Sequence, residues 1–75
     1  MEKQELLEYL VNAQESDATE VASVFDVTYA AAAMALLRLL RQGLVARYVD
    51  SDAQLYWYQL TTKGKTRLAY FRQSD

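Results

Sequence analysis

The N-terminal segment repeats its hydrophobic residues at the spacing of an α-helix. Apolar side chains recur there three or four positions apart, which places them on one helical face; they are Leu6, Leu7, Leu10 and Val11. The polar stretch 12–16 then interrupts the pattern. We therefore predict a first amphipathic helix from about Lys3 to Ala13.

A second, short helix is predicted after Asp17. Asp17 fits the N-cap of a capping box in which Glu20 reaches back, and Ser16 is a competing cap because such boxes usually begin with serine or threonine. The apolar stripe of this helix consists of Ala18, Val21, Ala22 and Phe25. The dipeptide 26–27 is predicted to form the turn that ends it.

The third predicted helix begins after Thr28, a favourable N-cap residue, and runs to about Gln42. Gly43 follows at the position where helices often adopt a left-handed conformation, which costs glycine little. The core residues predicted in and just after this helix are Leu36, Leu39 and Leu44.

Beyond Gly43 the hydrophobic period changes from 3.6 to 2. Segments 45–49 and 55–60 are rich in β-branched and aromatic residues, and the polar loop 50–54 separates them, which predicts a β-hairpin. Alternate residues of a strand face opposite sides. If Leu60 anchors the core, Tyr56 and Tyr58 point inward with it, and Leu55 and Trp57 point outward.

Thr61 or Thr62 is then suited to cap a last helix from about Lys63 to Arg72. The resulting order is helix, helix, helix, strand, strand, helix. This order predicts a mainly α fold with a small β-hairpin (α+β), the winged helix-turn-helix. Residues 1–75 are expected to form one such domain, with the last helix, about 62–72, available for dimerisation.

Composition limits the chemistry of the chain. It has no cysteine and no histidine, and its only glycines are Gly43 and Gly64. Disulfides, thiolate or imidazole metal sites, histidine catalysis and a glycine-rich phosphate loop are therefore excluded. We expect no enzyme activity, no cofactor and no metal. A domain this small buries only roughly 60% of its unfolded surface, so oligomerisation is its expected support.

Charge is distributed unevenly along the chain. The net charge is −2, but residues 1–27 carry −6 and residues 28–75 carry +4. Such an asymmetry can create a basic face on an acidic protein. No apolar run approaches the roughly 18 residues of a membrane span, and the charged N-terminus does not resemble a signal peptide. We expect a cytoplasmic protein.

Three motifs resemble segments of MarR-like and PadR-like winged-helix regulators. Leu36-x-x-Leu39-x-x-x-Gly43-Leu44-Val45 is similar to the end of their recognition helix and the start of their wing. Leu60-Thr61-Thr62-Lys63-Gly64 is similar to the leucine-threonine-x-x-glycine signature that closes the wing. Segment 18–27 resembles their second helix and turn. The resemblance covers about residues 4–71 and implies a DNA-binding regulator of transcription.

In that family, the start of the third helix enters the major groove and the wing lies along the minor groove or the backbone. By position, the resemblance implies that the groove-facing residues here are Thr28, Tyr29, Ala30, Ala33, Met34, Leu37 and Arg38. Arg41, Arg47 and the wing-tip residue Gln54 are further DNA-binding candidates, as are the basic residues at 63, 65 and 67. Each basic residue also fits a solvated face.

Two features depart from the family pattern. The third helix carries no charge before Arg38, although bases are read mostly by Arg, Lys, Asn and Gln. The wing tip carries Asp50 and Asp52, where the family usually has an arginine beside an aspartate. These departures favour an alternative, a protein-interaction module that docks a partner.

The docking surface of that alternative is an apolar stripe or Trp57. The stripe comprises Ala30, Ala33, Met34 and Leu37; it either packs against the first helix or the wing, or it binds a partner. Trp57 either packs on the last helix, against Leu68 or Phe71, or forms part of an interface.

Tyr9, Tyr70 and Phe71 add aromatic surface to the terminal helices. We therefore predict a homodimer through the first and last helices that binds duplex DNA as a transcriptional regulator, with the protein-docking module as the alternative.

Overall fold

Four helices and one β-hairpin make up the computed structural model, which describes residues 1–52 and 55–73. The elements are α1 Lys3–Ala13, α2 Ala18–Phe25, α3 Tyr29–Arg41, β1 Val45–Asp50, β2 Leu55–Leu60 and α4 Thr62–Gln73. The predicted winged helix-turn-helix order is confirmed. Within the described ranges, no single helix is long and apolar enough to cross a membrane, and α2 and α3 meet that criterion only as a pair bent by 114°.

The core lies where α1, α2 and α3 meet the root of the hairpin and α4. Its side chains come from every element, which explains how a chain of this length encloses a continuous apolar cluster; they are Leu6, Leu7, Leu10, Ala18, Val21, Ala32, Leu36, Leu39, Leu44, Val45, Tyr58, Leu60 and Leu68. The predicted inward positions of Leu36, Leu39 and Leu44 are confirmed.

Side chains at both helix starts of the helix-turn-helix satisfy backbone N–H groups. Asp17 Oδ1 accepts a hydrogen bond from Glu20 N at 2.7 Å, and Thr28 Oγ1 accepts one from Ala31 N at 3.1 Å. Both predicted caps are confirmed, but the reciprocal half of the capping box is wrong. The Glu20 carboxylate accepts instead from the buried Ser16 hydroxyl at 3.2 Å, because a hydroxyl removed from water needs a partner.

The hairpin is antiparallel, with Val45 opposite Leu60 at its root and Asp50 opposite Leu55 near its tip. On its other edge, β2 forms a single bridge to Ser16. Tyr58 N–H donates a hydrogen bond to Ser16 O at 2.8 Å, and Ser16 N–H donates one to Tyr58 O at 3.0 Å. Ser16 therefore fastens β2 to the α1–α2 connection.

The strand alternation holds near the root of the hairpin and fails towards its tip. Tyr58 and Leu60 are buried as predicted, but the predicted inward position of Tyr56 is wrong, since that side chain is 48% exposed. Tyr56 is exposed because the first part of β2 extends past the helices, so that only the last residues of the strand meet the core. Tyr56 packs instead against Arg47, whose guanidinium carbon lies 4.2 Å from the ring centre.

Thr61 joins the two ends of the hairpin to the neighbouring helices. Its hydroxyl donates to the C=O of Gly43 at 2.7 Å and accepts from Gly64 N at 3.0 Å, so Thr61 rather than Thr62 caps α4. Its own N–H donates to Leu44 O at 3.1 Å. Gly43 has φ +75°, the left-handed conformation predicted for it.

The terminal helices α1 and α4 pack on each other within one chain. Arg72 donates two hydrogen bonds to the Glu8 carboxylate, at 2.6 and 2.7 Å, and this pairing lowers the pKa of Glu8. The Tyr9 ring meets Phe25 edge to face at 5.8 Å, and Phe71 packs against the core. The predicted terminal aromatic surface is therefore smaller than expected, because only Tyr70 of its three rings is exposed.

Candidate nucleic-acid interface

The solvent-facing side of α3 is apolar in its first two turns and cationic in its last. Helical spacing brings Ala30, Met34, Arg38 and Arg41 to one side with Ala31 beside them, and all five are exposed. The opposite side carries the core residues of α3, which hold the helix against the fold. This geometry leaves the outer side of α3 uncovered in the single chain. We call Ala30, Ala31 and Met34 the methyl face.

Part of the predicted groove-facing set lies at the surface of the chain. Thr28 and Tyr29 are exposed, Tyr29 to 62%. Ala33 is a correction, since it is half-buried and packs against the core, and Leu37 is half-buried as well. Ala31 was missed by the sequence reasoning. Its spacing from Met34 and Arg38, three and seven positions further on, is the signal that could have found it, because residues at that spacing share one helix face.

The apolar stripe predicted for α3 therefore divides into two parts. Ala33 belongs to the packed side, whereas Ala30 and Met34 are open to solvent, with Met34 45% exposed. Neither of the two predicted alternatives holds for the whole stripe.

Cations from three elements surround the end of α3. Arg38 and Arg41 lie in its last turns. Lys3, at the start of α1, donates a hydrogen bond to Gln42 Oε1 at 2.6 Å, and the side chain of Lys63 in α4 lies beside Gly43. We call Lys3, Arg38, Arg41 and Lys63 the basic cluster. Lys3 is far from the others in sequence, so only the fold reveals its membership.

The basic residues of α4 do not form one patch. Lys63 and Arg67 line an open depression together with Tyr70 and Phe71. Lys65 lines a different one, beside Val11 and Gln59. Lys63 is the one of these residues whose side chain is seen beside Gly43, just after the end of α3.

The wing carries one candidate cation and an acidic turn. Arg47 is exposed and rests on the Tyr56 ring. At the turn, Asp52 N–H donates to Asp50 Oδ1 at 3.1 Å. The predicted candidate Gln54 lies outside the described residues.

The outer face of the hairpin is aromatic. Trp57 lies opposite Tyr48, is half-buried, and is not one of the side chains that pack against the core in the described ranges. Its predicted outward position is thereby confirmed. The Tyr48 hydroxyl donates to the Glu15 carboxylate, and this hydrogen bond raises the pKa of Tyr48. Over the residues that the structure describes, no group of three or more acidic side chains is arranged to hold a metal ion.

Solved structures of similar fold were identified by comparison. A MepR-like protein complexed with pseudoligands is 34% identical with a TM-score of 0.82, covering 89% of this chain and 48% of that one. A Staphylococcus aureus MepR mutant bound to an oligodeoxyribonucleotide is 26% identical with a TM-score of 0.87, covering 95% and 54%. Apo MarR from E. coli is 25% identical with a TM-score of 0.85, covering 95% and 53%.

This chain spans about half the length of those proteins. No protein-family model matches the sequence, and no curated protein does. The structural neighbours confirm the resemblance predicted from the three sequence motifs.

Proposed function

This chain has the winged-helix fold of the MarR-family transcriptional regulators, and on this premise we propose that it is a cytoplasmic DNA-binding regulator without catalytic activity. It binds duplex DNA with the start of α3 in the major groove and the hairpin alongside. The observation that carries the proposal is the outer side of α3, where an uncovered methyl face runs into the basic cluster.

The electrostatics of that surface fit phosphate contact. Lys and Arg side chains that neutralise phosphates release counterions and supply most of the sequence-independent affinity for DNA. The basic cluster places such cations around one end of α3, and Arg47 adds another on the wing. The acidic residues of the α1–α2 half explain why the net charge of −2 is compatible with a local basic surface.

The test is titration of a fluorescent duplex at several salt concentrations. Arg38→Ala and Arg41→Ala are expected to weaken binding and to reduce the slope of log affinity against log salt by about 0.9 for each phosphate that the chain no longer neutralises. Lys65→Ala is the matched control, since it removes the same charge from an exposed position of α4 that lies outside the basic cluster. An equal effect of all three changes, or no binding at low salt, would contradict the proposal.

We further propose that the regulator is a homodimer formed through α1 and α4. Tyr70, 65% exposed on α4, offers the largest aromatic surface for such a contact, because Tyr9 and Phe71 pack within the chain. Light scattering at micromolar concentration is expected to give the mass of two chains, and Tyr70→Ala is expected to shift it towards one. A monomeric mass for the unaltered protein would rule out this dimer.

The second candidate function is docking of a protein partner on the same side of α3. The exposed and uncharged Tyr29 and Met34 favour it. It would replace the first proposal if no duplex is bound at low salt.

A further inference from the structure

We infer that the methyl face of α3 selects DNA by apolar contact with the 5-methyl groups of pyrimidines, so that the preferred duplexes are rich in thymine. This inference rests on the proposed function and specifies what its recognition helix reads.

The methyl face carries no group that can pair with a base edge. Ala30 and Ala31 end in methyl groups and Met34 in a thioether with a terminal methyl. The first charged side chain of α3 is Arg38, one turn beyond Met34. Two short alanine side chains also let the helix backbone come closer to the groove floor than long side chains would. Contact through this face is therefore apolar and close.

Only one apolar group is available on the major-groove edges of the bases. Thymine presents its 5-methyl group there, whereas guanine presents N7 and O6 acceptors and cytosine an N4 donor. Every base pair covered by the methyl face would lose water from its polar edge atoms without gaining a partner, including adenine N7 and N6 and thymine O4, so the 5-methyl group is what distinguishes A·T from G·C. Thymine methyl groups would be removed from water together with the side chains of Ala30, Ala31 and Met34.

The polar residues at the start of α3 leave this selection unchanged. Thr28 Oγ1 accepts the hydrogen bond from Ala31 N, and its O–H can donate to a phosphate. Tyr29 stands at the first position of α3 and is 62% exposed, where a phenol can donate to a phosphate. Phosphate contacts position a protein without reading sequence.

The experiment uses four synthetic duplexes of equal length and charge. They are alternating A·T, the same duplex with uracil in place of thymine, alternating G·C, and G·C with 5-methylcytosine in place of cytosine. Uracil removes the methyl group and 5-methylcytosine adds it, so pairing is kept while the apolar contact changes. Each methyl group buried by α3 is expected to tighten binding roughly four-fold. The thymine duplex should bind more tightly than the uracil duplex, and methylation of cytosine should strengthen G·C binding.

A variant separates reading by α3 from effects of the methyl group on the duplex itself. Met34→Gln keeps the length and helix propensity of the side chain but places an amide at the centre of the methyl face. It is expected to lower the thymine-to-uracil affinity ratio while retaining binding at low salt. Lys65→Ala, outside the basic cluster and the methyl face, is expected to leave the ratio unchanged.

The outcomes distinguish the inference from the proposed function. Equal affinity for all four duplexes would overturn the inference while leaving DNA binding in place. A thymine preference that Met34→Gln does not lower would overturn it as well. Absence of binding to any duplex at low salt would remove the proposed function and the inference together.

Discussion

Replacement of Gly64 by alanine is expected to lower the free energy of unfolding by about 3 kcal/mol or more. Gly64 is buried in the first turn of α4, against the backbone of Leu44 just before β1. A Cβ atom at this position would overlap the C=O oxygen of Leu44 and lie 3.0 Å from its carbonyl carbon. The neighbour is backbone and cannot rotate away, so α4 would have to move from the core.

Gly64→Ala is expected to destabilise the protein, although helix propensity alone would predict that alanine stabilises α4. In an exposed helix interior, alanine is favoured over glycine by about 1 kcal/mol. Overpacking of a tight site commonly costs about 1–3 kcal/mol and sometimes more, and contact with rigid backbone places Gly64 at or above the upper end. A domain of this length is stable by only about 4–11 kcal/mol, so the loss removes much of the total.

Urea unfolding followed by circular dichroism measures this effect. Lys65→Ala is the control, because Lys65 is the exposed neighbour in the same helix and its change leaves the packing intact. Stability of Gly64→Ala equal to that of Lys65→Ala would show that α4 does not sit as close to Leu44 as the structure has it.

Leu36→Ala is expected to lower the free energy of unfolding by about 3–4 kcal/mol, because truncation of a buried leucine removes apolar contact and leaves a cavity. Leu36 is fully buried at the centre of the core side of α3. Its neighbour Leu37 is half-buried and provides a matched control with the same chemistry. Leu37→Ala is expected to cost about 1 kcal/mol, in line with ordinary substitutions outside a core.

The same urea titration compares the two leucine variants. A difference between them confirms that α3 is held by the side that carries Leu36, with its methyl face turned outward. Equal losses would mean that α3 is rotated about its axis relative to the structure, and the methyl face would then have to be redefined.

The sequence was sufficient to predict the elements because their signals are local. The spacing of Leu6, Leu7 and Leu10, the caps Asp17 and Thr28, and the change of period after Gly43 each depend on residues close in the chain. These features predicted the element order and most of the core side chains. The motif that ends in Gly64 could likewise be identified from adjacent residues. The physical reason for its glycine, the close contact with the Leu44 backbone, is seen only in the fold.

Predictions that depended on contacts between elements far apart in the sequence were wrong or incomplete. Strand alternation gives the face of Tyr56 but not how far β2 extends past the helices, and this distance decides its burial. The hydrogen-bond partner of the Glu20 carboxylate is the buried Ser16 hydroxyl, and Ser16 is held in that place by its bridge to Tyr58.

At the candidate site too, features set within one helix could be predicted, and features set by contacts between elements could not. Exposed positions of α3 such as Met34 followed from helical spacing, whereas the half-burial of Ala33 depends on which neighbours it meets. Lys3 joins the basic cluster only because α1 begins beside the end of α3. A pattern within one element cannot contain that information.

The position of Thr61 divides the hairpin into a fixed part and an adjustable part. With Thr61 tied to Gly43, Leu44 and Gly64, a residue inserted at the root would displace α3 from α4. The tip lies at the far end of the two strands, beyond the residues that meet the core, so additions or deletions there would change the reach of the wing and leave the helices in place. Variation in wing length is therefore a way for this architecture to acquire new contacts without redesign of its core.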